Sequence, residues 1–134
     1  MAVTGSCLCR GVRFSIDPAP SIVYFCHCGQ CRKAQGTAFA SSVPVPKRDF
    51  TLIAGAEHLR SYRATPSKAR WFCGSCGSPL YSEIDGGDML RVRAGAIDDS
   101  RALAPVAHIF VTGKASWHTI ADGLPQFPGR EPGR

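Results

Sequence analysis

Three cysteines fall within six positions, Cys26-His27-Cys28-Gly29-Gln30-Cys31, and no other stretch of the chain packs reactive side chains as densely. In extended backbone successive side chains alternate faces, so the Cys26 and Cys28 sulfurs point together and His27 points away; Gly29 then lets the chain turn and return Cys31 to the same place. This is the geometry of a metal claw. A structural zinc is closed by four protein ligands, whereas a working zinc has three and leaves the fourth position for water or substrate. Three local sulfurs therefore suggest an open metal, with Cys26, Cys28 and Cys31 as candidate catalytic ligands. The competing reading is a second closed site completed by one of His27, His58, His108 or His118.

Two further cysteine clusters follow from the same inspection. Cys7-Leu8-Cys9 lies near the start, and Cys73-Gly74-Ser75-Cys76-Gly77 has the form of a zinc knuckle, in which a tight glycine-bearing turn aims two sulfurs at one metal. One knuckle supplies half a tetrahedron. The only partition that keeps each local motif whole joins Cys7 and Cys9 to Cys73 and Cys76 and leaves the claw alone, giving one closed and one open site. A pair of buried free thiols at Cys7 and Cys9 is the alternative, and iron would suit four thiolates as well as zinc does.

Seven cysteines are an odd number in tight pairs and a triplet, a pattern of metal binding in a reducing compartment more than of disulfides. No signal-type or membrane-length apolar run occurs, so a cytoplasmic location is expected. With 134 residues, 44% hydrophobic and 19% charged, the composition is that of one globular domain. The formal charge of +6 could suggest nucleic acid, but seven metal-bound thiolates and two dications would reduce it to about +3. The basic residues are also scattered, and Lys47-Arg48, Arg91 and Arg93 read as solvated strand edges, so no nucleic-acid partner is expected.

The elements that must carry these cysteines read as mostly β. Val12, Phe14 and Ile16 alternate with polar residues and predict a half-buried strand ended by Asp17-Pro18-Ala19-Pro20. Ser21 to Phe25 delivers the claw, and Cys31 to Gln35 predicts a helical turn stopped by Gly36. Thr37 to Val45 predicts a strand that Pro44 and Pro46 mark as an edge. Phe50–Ile53 with His58–Ala64 predicts one hairpin, and Leu80–Ile84 with Met89–Ala94 another, around Gly86-Gly87. Asp98 to Leu103 suggests a short helix capped by Asp98, and Val106 to Val111 a last strand. A single domain over residues 1–121 is expected, followed by an irregular Pro/Gly-rich tail over 122–134 that contributes no ladder hydrogen bonds and has mobile last residues.

Taken together, Cys7-Leu8-Cys9-Arg10-Gly11, Cys26-His27-Cys28-Gly29-Gln30-Cys31-Arg32-Lys33, Phe72-Cys73-Gly74-Ser75-Cys76-Gly77 and the run from Ile120 to Phe127 resemble the glutathione-dependent formaldehyde-activating enzyme family over nearly the whole chain. The resemblance implies an Mss4-like fold of antiparallel sheets. It implies two zinc ions, one structural on Cys7, Cys9, Cys73 and Cys76 and one catalytic on Cys26, Cys28 and Cys31. It also implies a carbon–sulfur lyase that reversibly adds glutathione to formaldehyde, giving S-hydroxymethylglutathione. Arg32 and Lys33, beside Cys31, are candidates to meet a glutathione carboxylate, with a solvated helix face as the alternative. His27 would be a hydrogen-bond donor or proton shuttle near the metal, or simply a surface imidazole. A non-catalytic thiol- or protein-binding module, or a scaffold with two inert metals, are the other classes.

Overall fold

Val12, Phe14 and Ile16 fulfil the alternation in their stretch: in the computed structural model, which describes residues 1–134, none is more than 1% exposed. Strand β2 (Arg13–Ile16) lies between β1 (Val3–Ser6) and β5 (Phe50–Ala54), antiparallel to both, in a three-stranded sheet. A second sheet of seven strands holds β3 (Ile22–Cys26), β4 (Ala40–Pro46), β6 (Leu59–Thr65), β7 (Lys68–Cys73), β8 (Pro79–Ile84), β9 (Met89–Arg93) and β10 (Ala104–Ile109), in the order β10-β3-β4-β9-β8-β7-β6. Val43, Val45, Leu80, Leu90 and Val92 of the large sheet share one core with Phe14 and Ile16 of the small one and with Val12 just before β2. Phe50 seals the contact, with its ring 5.1 Å from that of Phe14 and 5.2 Å from that of Tyr81. Each such buried ring or branched side chain contributes roughly 1.5–3 kcal/mol.

The expected class, mostly β with antiparallel pairing, holds, with one exception: β10 runs parallel to β3. The β8–β9 hairpin forms as expected, with Tyr81 opposite Val92. The helical turn is a helix, α1 (Gly29–Gln35), which starts two residues before Cys31 and ends on Gly36 at φ 67°.

Several expectations are corrected. Phe50–Ile53 and His58–Ala64 do not pair with each other. β5 joins β2, while β6 joins β7, because Gly55, at φ 94°, and the tight turn at Ala56–His58 carry the chain from one sheet to the other. The strand with Pro44 and Pro46 is interior to the sheet, not an edge. The prolines are tolerated because the ladder with β3 covers only Ala40 to Ser42, so both lie beyond it. No helix forms over Asp98–Leu103. The Asp98 N–H donates to the Thr4 carbonyl at 2.9 Å and the Thr4 hydroxyl to the Asp98 carboxylate at 2.9 Å, so the would-be cap is tied to β1. The last strand stops at Ile109, since Phe110 takes a left-handed φ of 54°.

The tail, too, supplies main-chain hydrogen bonds, against expectation. His108 N–H donates to Pro125 O and Phe127 N–H to His108 O, both at 2.9 Å, while Phe110 N–H reaches Gly129 O at 3.0 Å. Prolines at 125 and 128 leave enough donors and acceptors for this short parallel bridge. No helix of the protein is long and apolar enough to cross a membrane.

Gly55 sits where a β-carbon would collide with the Gly11 carbonyl and lie 2.7 Å from Val12 Cα, in addition to its φ of 94°. A Gly55→Ala variant is expected to lose about 2–5 kcal/mol and roughly 10 °C in Tm, read by thermal denaturation. A shift of about a degree would mean that this crossing between the sheets is soft.

Candidate metal centres

The four-cysteine cluster is made by the exit of β1, which carries Cys7 and Cys9, and by the end of β7 and its turn, which carry Cys73 and Cys76. Their sulfurs all lie within 4.8 Å of one another, with Cys7 and Cys9 3.5 Å apart and Cys9 and Cys73 3.9 Å apart. A zinc–sulfur bond of about 2.3 Å gives tetrahedral sulfur–sulfur edges of about 3.8 Å, so the set fits that ion. The surrounding groups hold the sulfurs in place. Val12 N–H donates to Cys7 Sγ at 3.3 Å, Leu8 N–H to Ser78 Oγ at 2.9 Å, and Ser78 Oγ lies 3.2 Å from Cys76 Sγ. Bonding from Ser78, then from backbone amides, brings the Cys76 thiol down to about 5.

The three-cysteine cluster lies across the large sheet, away from the first. Cys26 ends β3, Cys28 caps the start of α1 and accepts the Cys31 N–H at 3.2 Å, and Cys31 lies in the first helical turn. Their sulfurs also lie within 4.8 Å of one another, and no histidine joins either cluster. Cys26 and Cys31 are buried and Cys28 is half-buried. Hydrogen bonding from Cys26 and Cys28, supported by the Arg70 guanidinium, holds the Cys31 thiol far below its usual range. The sulfurs of Cys28 and Cys31 push Cys26 far above it. Such a trio cannot ionise fully without a cation among its members, and a dication is the charge it accepts.

Above these sulfurs opens a cavity of about 540 Å³ whose far wall is basic. Lys68 enters it from β7, Arg91 and Arg93 from β9, and Arg130 and Arg134 from the tail; no acidic side chain lines it. Arg70 Nη2 lies 3.7 Å from Cys31 Sγ. Arg91 and Arg93 are therefore not solvated strand edges: Arg93 is 6% exposed and the Arg91 side chain 16%. Leu90 and Val92 take the core face of β9, and the opposite face, ordinarily wet, lines the cavity together with the tail and the three cysteines. Arg32 and Lys33 are not brought to the cavity. Arg32 Nε donates to the Gly113 carbonyl at 3.0 Å, and Lys33 is exposed.

His27 points away from the sulfurs, as strand alternation requires, yet it is fully buried, not a surface imidazole. Its Nε2 lies 2.7 Å from His108 Nδ1, and His108 Nε2 lies 2.9 Å from Asp122 Oδ2. The parallel β10 strand and the tail create this burial, and nothing local to His27 signals it. Burial first, then the charge of neighbouring His108 and His118, lowers the His27 imidazole to about 4. Between about 6.5, the ordinary value, and 4 the unfolded chain binds a proton that the native His27 does not, so stability falls as the pH falls through that window. Urea midpoints are expected to drop from pH 6.5 to pH 4, less steeply in a His27→Gln variant. Equal slopes would remove His27 as the cause.

The lining that sequence reasoning missed consists of long basic side chains from strands far apart in sequence, and only the sheet order assembles them. Asp122 was in view as part of the Ile120–Phe127 run, but not as the partner of His108.

Comparison with known proteins agrees with this arrangement. The family model described as glutathione-dependent formaldehyde-activating enzyme matches residues 2–113, a span that contains all seven cysteines. A Halomonas elongata protein, provisionally named as a glutathione-dependent formaldehyde-activating enzyme, is 30% identical over 128 residues, covering 90% of this chain and 82% of that protein. A Sordaria macrospora protein with the same provisional name is 35% identical over 60 residues, 45% of this chain and 25% of its own. The crystal structure of a Rhodobacter sphaeroides protein has the same fold, at a TM-score of 0.60 and 22% identity, covering 71% of this chain and 87% of that one. With a family match over most of its length, the same cysteines gathered into the two clusters, and a relative aligned nearly end to end, the chain belongs to the glutathione-dependent formaldehyde-activating enzyme family.

Proposed function

We propose that the protein is a zinc-dependent carbon–sulfur lyase that reversibly joins a small thiol, glutathione, to formaldehyde as an S-hydroxymethyl adduct. The observation that carries this reading is the set of three sulfurs, Cys26, Cys28 and Cys31, converging within 4.8 Å on the floor of an open cavity with no fourth protein ligand. Cys7, Cys9, Cys73 and Cys76 would hold a second zinc whose role is to fasten the fold.

A zinc ion on the three sulfurs supplies a position for an incoming thiol and lowers that thiol's pKa. The protein's own groups do the rest. Cys26, Cys28 and Cys31 fix the place where the thiol sulfur is presented, and Arg70, on Cys31, withdraws part of that ligand's charge. The cavity positions the aldehyde carbon in front of the sulfur. In the forward direction the thiol gives up its proton, a carbon–sulfur bond forms at the carbonyl carbon, and the carbonyl electron pair moves to oxygen, which takes up a proton as hydroxyl. The reverse breaks the same bond and releases formaldehyde.

The test is exchange spectroscopy on ¹³C-labelled formaldehyde and glutathione, with zinc-loaded protein and with chelator-treated protein beside it. Interconversion faster than the spontaneous rate, lost with the metal, is the expected result. Saturable thiol binding without acceleration would instead make the protein a thiol-binding module.

A further inference from the structure

The cavity contains buried positive charge that the two cysteine clusters do not account for. Arg93 is 6% exposed, its Nε is buried with no acceptor, and it makes no ion pair. Lys68, half-buried beside it, makes none either. A desolvated cation without a partner is costly, and proteins keep one where a ligand supplies the missing charge. The three thiolates with a dication carry a net charge of about −1, which offsets one guanidinium, and Arg70 already lies against Cys31. Arg93, Lys68 and the tail's Arg130 are a surplus, with no acidic side chain in the lining to answer it; Arg134 is already paired with Glu131.

The tail's own geometry bears on the same point. Glu131 is 7% exposed, and its carboxylate is held by Arg91 at 2.6 Å and by Arg134 at 2.9 Å. This clamp lies past residue 113, where the family match ends, and it fixes Arg134, with Arg130 four residues before it, in the lining of the cavity. One carboxylate already sits between two arginines of the lining, which shows that this wall can take a carboxylate.

We infer that the basic wall is a carboxylate-recognition site: Arg93 and Lys68 receive a carboxylate of the incoming thiol, and the Glu131 latch brings Arg130 and Arg134 to receive a second one. The identity of the thiol end rests on the proposed function; the carboxylate end rests on the unpaired Arg93, Lys68 and Arg130 and on the Arg134 that Glu131 holds beside them. The site thus selects an acidic thiol over a neutral one of the same size. Arg93 and Lys68 are binding residues, and Glu131 is a positioning residue that acts through Arg91 and Arg134.

The test uses S-methylglutathione, which keeps both carboxylates and has no free thiol, so that its binding does not require the metal-directed sulfur. Calorimetry on the zinc-loaded full chain is expected to show binding that weakens at least about tenfold in Lys68→Met and in Arg93→Met, and that is lost for the diethyl ester of the same ligand. A chain ending at Gly129 is expected to bind several-fold more weakly. Lys68→Met and the truncation leave the test intact if Arg93→Met does not fold. No binding, equal binding by wild type and the Lys68 variant, or equal binding of the ester would overturn the inference. Charge-dependent binding with no acceleration of formaldehyde exchange would retire the lyase reading and leave the carboxylate site standing. Accelerated exchange with ester and acid bound alike would do the opposite.

Discussion

A Cys73→Ser variant is expected to yield no folded domain at 37 °C. Cys73 is fully buried, is the last residue of β7, and lies 3.9 Å from Cys9, 64 residues earlier in the chain. A structural zinc in a small peptide contributes about 10–16 kcal/mol of folding free energy, while a whole domain has a net stability of about 5–15 kcal/mol. Losing one of four sulfurs, and burying a hydroxyl in its place, therefore exceeds what the core can hold in reserve. Far-UV circular dichroism, proton chemical-shift dispersion and zinc content check it together. A variant that melts within about 5 °C of the wild type would show that the sulfurs at this end of the molecule are packing groups and not a metal site.

At the other cluster the opposite pattern is expected, with the fold kept and the chemistry lost. Cys28 is half-buried, and its sulfur caps α1 by accepting the Cys31 N–H. Serine is among the best residues for that capping role, so Cys28→Ser should melt within a few degrees of the parent. One of the three converging sulfurs is nonetheless gone. Loss of groups that merely orient a metal's ligands costs about 10–100-fold in affinity or activity, and loss of a ligand should exceed about 100-fold in the glutathione–formaldehyde exchange rate. The two clusters also separate under a mild chelator, which should strip the open three-sulfur site well before the four-sulfur one. Exchange at the wild-type rate in Cys28→Ser would place the reaction elsewhere.

The division of the seven sulfurs into these two groups was legible in the cysteine spacing, because side-chain alternation and tight glycine turns act over a few residues and fix which sulfurs can meet. Helix α1 and its Gly36 stop, the Val12-Phe14-Ile16 face and the β8–β9 hairpin were legible for the same reason. What was not legible depends on partners distant in sequence. The short gap between Phe50–Ile53 and His58–Ala64 reads as a hairpin turn, and only the close approach of Gly55 to Gly11 and Val12 shows that it sends β5 and β6 to different sheets. Asp98 has the right chemistry for a helix cap, but Thr4 competes for it successfully. Arg93 is on the polar face of an alternating strand, which ordinarily means solvent. The tail that covers this face has no hydrophobic period of its own to announce that it packs. Most of the sulfur geometry could thus be inferred locally, whereas the basic wall could not.

The return of residues 125–129 onto β10, itself zipped parallel to β3, has a consequence for how the protein is made. The amino-terminal sulfurs meet their partners as soon as the middle of the polypeptide has been synthesised, so the scaffold can set early on a nascent chain. The chamber over the other three sulfurs is different. Its wall is completed by Arg130 and Arg134, more than fifty residues after Cys76, and so a nascent chain that has reached only the fourth scaffold sulfur carries a secured frame around an uncovered sulfur floor.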